Sequence, residues 1–155
     1  MSATLRIQDF QNKYGATDIH TTRTTSASLV AYQQTLKKTT DTFQSDTPGF
    51  EIVITALETG DYSQLSELAT AATKYDAMAQ TLQKLTVPVG VAQYHLDIIN
   101  GLSGMAKSFT YLEQLDTDSL YSISGIVVYK ASVLLYSNAT TNLNDYLTRY
   151  GILNT

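Results

Sequence analysis

The chain has 155 residues, a formal net charge of −4 and a pI near 4.9, so a single domain with its own hydrophobic core is expected over 1–155. Lys and Arg are scattered, with Lys37-Lys38 the densest point, and phosphate-backbone binding needs clustered cations, so nucleic acid is not expected as a partner. The absence of cysteine removes thiolate-held zinc, iron–sulfur clusters, thiol nucleophiles and disulfides.

Charged residues make up 15% of the chain, against roughly 25% in an average soluble domain. Polarity comes instead from Thr, Ser, Asn, Gln and eleven Tyr, a hydroxyl-rich surface that points toward an extracytoplasmic or cell-envelope setting. Met1 to Arg6 holds no apolar leader core, so no signal peptide is read in these residues. The longest apolar stretch, Ile123 to Tyr136, is interrupted by Ser124, Gly125, Lys130 and Ser132. It falls short of the about 20 apolar residues a spanning helix needs. No membrane insertion by this segment is expected, which is compatible with a leader or anchor outside it.

In chain order, Ile7, Phe10 and Tyr14 have helical spacing, with Gly15 placed to close a short helix. Residues 1–23 as a whole read as a loosely packed N-terminal segment. His20 to Thr25 is a polar connector whose hydroxyls are suited to capping the next helix. Leu29, Tyr32, Leu36 and Phe43 mark one helical stripe, and Asp46-Thr47-Pro48-Gly49 a tight turn. Phe50, Val53, Ile54 and Leu57 stand at i, i+3, i+4 and i+7, a short helix ended by Gly60. Asp61 to Gln64 resembles a capping box opening a helix to Leu85, with Leu65, Leu68, Ala72, Tyr75, Ala79 and Leu82 as its buried stripe.

Val87-Pro88 stops that helix, and Pro88 suits the first turn of the next, which runs to Leu115 with a wide apolar arc from Val91 to Leu112. Asp116 to Ser119 is a short connector and cap. A last helix runs from about Asp118 to Tyr150, with Leu120, Ile123, Val127, Leu134, Leu135, Ala139, Leu143, Tyr146, Leu147 and Tyr150 on its expected buried side. Gly125 and Ser137-Asn138 are weak points within it, and Gly151 is its C-terminal cap. Short links imply antiparallel neighbours. The fold class is therefore all-α: an antiparallel bundle of about four main helices plus short N-terminal helical segments.

Several of these residues carry a resemblance: Gly60-Asp61, Leu65, Leu68 and Tyr75, the Val87-Pro88 break with His95-Leu96 and Ile99-Asn100 after it, Asp116 to Asp118, Tyr129, and the ending Tyr146-Leu147 with Gly151-Ile152. Over about residues 50 to 152 the pattern resembles a loose group of helical proteins from candidate-phyla-radiation (Patescibacteria) bacteria. The resemblance implies a helical fold and association with the cell envelope, and carries no activity, cofactor or partner with it.

His95 is the most chemically suggestive side chain. One reading makes it a general base or a ligand, with Asp97 or Asn100 nearby, although Asp97 points to a different side of the helix, and a small-molecule pocket between the 88–115 and 118–150 helices would lie near His95 and Asn100. The other makes both residues polar core groups bonded to neighbouring helices, because a buried polar group needs a partner in any fold. No His-Glu-x-x-His or paired Glu-x-x-His motif occurs, and Asp116 and Asp118 lack the ligand spacing of a calcium loop, so no metal or cofactor is expected. Glu51, Glu58, Glu67 and Glu113 are scattered, and no Gly-x-Ser-x-Gly elbow exists. Gly101-Leu102-Ser103-Gly104 lies within a helix, where its glycines suit a close helix crossing. Tyr94, Tyr111, Tyr129 and Tyr136 fall toward the less apolar sides of their helices and are the candidate interface residues. The expectation is a non-enzymatic structural or protein-interaction module, with a small-molecule binding bundle as the alternative.

Overall fold

The computed structural model describes residues 12–43 and 49–153. The expected helix at Ile7 and Phe10, and most of the turn at Asp46-Thr47-Pro48, lie outside them. The described chain is all-α apart from one pair of three-residue strands. Its elements are β1 (His20–Thr22), α1 (Ser26–Phe43), α2 (Phe50–Thr59), α3 (Glu67–Gln83), β2 (Thr86–Pro88), α4 (Ala92–Leu112) and α5 (Ser119–Arg149).

Local chemistry sets most boundaries. Thr25 and Ser28 form a reciprocal cap at the start of α1: each backbone N–H donates to the other's hydroxyl, at 2.8 and 3.0 Å. Gly60 ends α2 at φ 70°, in the left-handed region, its N–H returned to the Ala56 carbonyl. Asp118 caps α5 by accepting from the N–H groups of Leu120 and Tyr121. At the far end, Gly151 has φ 72° while Ile152 N–H reaches the Leu147 carbonyl and Gly151 N–H that of Thr148, the double bond of a Schellman closure.

Two boundaries differ from expectation. Asp61 does not open α3; its carboxylate accepts from Ser63 N–H, and i→i+3 bonds run from Tyr62 to Ala69 before regular helix is established at Glu67. Pro88 does not begin α4 either. It ends β2, and a 3₁₀ turn over Val89–Val91 separates it from the helix. The partner of β2 is β1, paired in parallel with His20 opposite Thr86 and Thr22 opposite Pro88. Residues 12–23 are therefore not loose: Tyr14 and Ile19 are buried, and His20–Thr22 is held in the sheet.

The centre of the molecule is α4, which buries twelve of its residues and packs against both α3 and α5. Its contact with α5 is close. A Cβ on Gly101 would stand 2.8 Å from the Tyr136 Cβ and 3.0 Å from the Ser132 carbonyl, and one on Gly125 would stand 2.7 Å from the Leu112 Cγ. Gly125 is thus a packing position rather than a bend. Four rings join the helices across the core: Phe50 stacks on Tyr129 at 4.2 Å, Tyr129 meets Phe109 at 5.7 Å, and Phe109 meets Tyr75 at 5.4 Å between centroids.

Over its first half the side of α5 that turns inward is not the expected one, whereas Ala139, Leu143 and Leu147 further along turn inward as expected. Ser122, Gly125, Val128, Ser132, Ala139, Leu143 and Leu147 are buried, whereas Leu120, Ile123, Val127 and Leu134 face outward, as does Tyr150. In α2 likewise Ile52, Val53 and Ala56 are buried, while Ile54 and Leu57 are exposed.

Candidate functional site

His95 lies wholly inside the molecule, between α1 and the end of α3. Its Nε2 is 2.9 Å from the Leu82 carbonyl oxygen and its Nδ1 is 2.9 Å from the Tyr32 hydroxyl. A carbonyl can only accept, so Nε2 carries the proton and Nδ1 accepts from the tyrosine. Both nitrogens are engaged and no water reaches the ring. Burial lowers its pKa to about 4, against a smaller opposing effect of the Leu82 carbonyl, and burial also raises that of Tyr32. The pair is neutral over the physiological range.

Asn100, one and a half turns further along α4, is also buried. Its Oδ1 accepts from Tyr14 N–H at 2.8 Å and its Nδ2 donates to the Tyr14 carbonyl at 2.9 Å. The amide thereby satisfies one residue of the N-terminal segment as a neighbouring strand would. Neither of the two clefts that adjoin α4 is lined by both His95 and Asn100. Asn100 borders a cleft of about 480 Å³ beside the Lys13–Asp76 ion pair, and His95 lines neither this cleft nor the one beneath Tyr136.

The four tyrosines expected at an interface are all half-buried against other rings or helices. Tyr94 meets Tyr146 edge-on, Tyr111 meets Tyr121 with the Lys107 ammonium 5.8 Å from its ring, and Tyr129 sits between Phe50 and Phe109. Tyr136 lies over Gly101. With Tyr75, Tyr129 and Tyr136 line a second cleft of about 440 Å³, whose apolar walls include Met78, Leu102 and Met105. Burial raises the pKa of all three phenols, and the Glu51 carboxylate adds to the effect at Tyr75 and Tyr129.

The surface feature that sequence reasoning missed is the outer face of α5. Leu120 is 56% exposed, Ile123 48%, Val127 50% and Leu134 61%. With Lys130 they keep a 3-4-3-4 spacing, so they form one straight stripe, and beyond Leu134 the same face turns polar at Ser137 and Thr141. The helix also has the length and composition of a membrane span, with a mean hydropathy of 1.3 in its most apolar window, only 22% of which is buried inside the molecule. The signal was present in the sequence as large apolar residues on more than one side of the helix, which no single buried stripe accounts for. Among the described residues no three His, Asp or Glu side chains converge. No family model matches the chain, and no curated protein or solved structure shows a detectable match to it.

Proposed function

We propose that this chain is a non-enzymatic interaction module, an antiparallel helical bundle whose working surface is the outer face of α5. The observation that carries the reading is the unpartnered stripe Leu120, Ile123, Val127 and Leu134, roughly half exposed on a helix whose inner side is already packed. Apolar side chains aligned in this way mark interaction surfaces, whereas apolar residues scattered singly carry no such meaning. The antiparallel arrangement is supported by the pairing of Gly101 with Ser132 and Tyr136, of Leu112 with Gly125, and of Tyr94 with Tyr146. The non-enzymatic reading is supported by the sealed, doubly bonded state of His95. An envelope setting is part of the same proposal, supported by the resemblance and the low charge content.

The test separates a face from a core. Leu134→Asp should change stability by no more than about 0.5 kcal/mol, as surface substitutions do, while Leu143→Asp on the inner side should lose more than about 3 kcal/mol. Urea denaturation of the two variants decides it. Equal loss in both would make the stripe part of the core and end the proposal.

A second reading, a small-molecule binding bundle, is favoured by the cleft of about 440 Å³ under Tyr75, Tyr129 and Tyr136. Its size and mixture of apolar wall and hydroxyl suit a planar aromatic ligand. Saturation-transfer NMR with a set of small phenols and aromatic acids should detect binding that Met105→Trp removes; no transfer to any of them would close this reading.

A further inference from the structure

Independently of the α5 face, we propose that the cleft between α3 and α4 beside Lys13 is a binding site for a small neutral polyhydroxylated molecule, a sugar of one or two rings. Its volume of about 480 Å³ is in the range of ligand sites. The space exists because small residues meet there, Ala72 on α3 with Gly104 and Ala106 on α4. The two glycines of Gly101-Leu102-Ser103-Gly104 thus serve different ends: Gly101 admits the α5 backbone, and Gly104 lines the cleft. Asn100, Ser103, Lys107 and Thr110 follow one another at intervals of three, four and three residues, so they run along one edge of α4 for about 15 Å. Thr73 and Asp76 stand on the α3 side, and Lys13 enters from the N-terminal segment.

The class of ligand follows from what these groups can give and take. Thr73 donates its only hydroxyl hydrogen to the Ala69 carbonyl at 3.0 Å, and Thr110 donates its own to that of Ala106 at 3.3 Å. Toward the cleft both can therefore only accept. Asp76 is likewise an acceptor, fixed at one oxygen by the Lys13 ammonium at 3.1 Å and at the other by the Gln80 amide at 2.7 Å. Lys13 and Lys107 can only donate. Asn100, 5% exposed, gives one of its two amide hydrogens to the Tyr14 carbonyl. Ser103 is half-buried, and its hydroxyl bonds to no other described residue. A cation would meet two ammonium groups here. An anion would meet a carboxylate and two hydroxyls with no hydrogen to offer. A polyol suits each in turn, because every one of its hydroxyls both donates and accepts.

Amide chemical shifts followed during titration with glucose, galactose and maltose test this, the disaccharide standing for the end of a longer chain. At least one of the three should shift the amides of Thr73, Asp76, Ser103 and Lys107 and saturate with a Kd on the order of 1 mM. Ser103→Ala should weaken that binding about threefold to tenfold, the loss of one hydrogen bond. Thr73 is exposed on α3, where a large ring can lie across the opening. Thr73→Trp should therefore remove the binding while the amide spectrum keeps the dispersion of a folded chain.

No shift with any of these sugars at about 100 times that concentration would overturn the proposal. Shifts that survive Thr73→Trp would place the sugar elsewhere on the molecule and overturn it too. Saturating shifts with sodium acetate or glycine, and none with the sugars, would assign the cleft to a charged ligand and end the polyol reading.

Discussion

His95 shows how a single side chain becomes structural by having nothing left to give. Its two nitrogens tie α4 to the Leu82 carbonyl at the end of α3 and to Tyr32 on α1, so one ring satisfies groups from two other helices. Replacing Tyr32 by Phe removes the only partner of a buried acceptor, and a loss of about 1–3 kcal/mol is expected in urea denaturation. The pH dependence comes from the lowered pKa. Between the ordinary imidazole value of 6.5 and about 4, the unfolded chain carries a proton on this side chain that the folded chain does not. The full contribution of His95 is present above that window and is lost as pH falls through it, a change on the order of 3 kcal/mol. Unfolding free energies measured from pH 7 to pH 4 should fall more steeply in the wild type than in His95→Gln, which lacks the titrating ring; parallel curves would show that the imidazole is not held neutral.

At the scale of elements, the contact between α4 and α5 depends on what is missing from it. Gly101 lets the α5 backbone come so near that an added methyl meets the Ser132 carbonyl at 3.0 Å, and a carbonyl within a packed helix has little room to move. Gly101→Ala should therefore lose about 1–3 kcal/mol through overpacking. Ser132 on the facing side is wholly buried with no hydrogen-bond partner for its hydroxyl. Ser132→Ala removes that unmet group and nearly keeps the volume, so it should be neutral or raise the melting temperature. Opposite signs for two single-atom changes in one interface are the expected result of thermal denaturation. The same interface explains what the sequence did and did not disclose. The caps at Asp118, Gly60 and Gly151 were legible because each is settled by residues a few positions apart. The orientation of the first half of α5 was not, because large apolar residues occur on both of its sides there. The rule that large apolar groups turn inward failed where small residues had to line the seam, as Ser122, Gly125 and Ser132 do. The β1–β2 pair was illegible for a different reason: its partners are three residues long, carry no alternating pattern, and meet only after α1, α2 and α3 have brought them together.

Across the whole molecule, the segment from Lys13 to Thr24 is fastened to the helices by polar contacts spread along its length. Asn100 holds Tyr14, the Gln83 amide donates to the Asp18 carbonyl at 2.6 Å, β1 lies on β2, and Gly90 N–H donates to the Thr24 hydroxyl at 2.8 Å. These fastenings are unequal. The Lys13–Asp76 ion pair is half exposed on the lysine side and adds little. The Asn100 amide is buried and makes two bonds at once. Asn100→Asp exchanges its donor for a carboxylate oxygen aimed at the Tyr14 carbonyl, so a bond is lost and two acceptors are forced together in a dry place. A loss of about 2–4 kcal/mol is expected for a buried group left in that state. The loss should be local, because α4 keeps its apolar contacts with α3 and α5. Native-state hydrogen exchange should then show faster opening at Tyr14 and across His20 to Thr22, with the α4 and α5 amides from Leu102 to Leu143 unchanged. Acceleration of all these amides together would mean that the N-terminal segment and the helices open as one cooperative unit. Acceleration confined to the segment would mean that it is a strap laid over helices that stand without it.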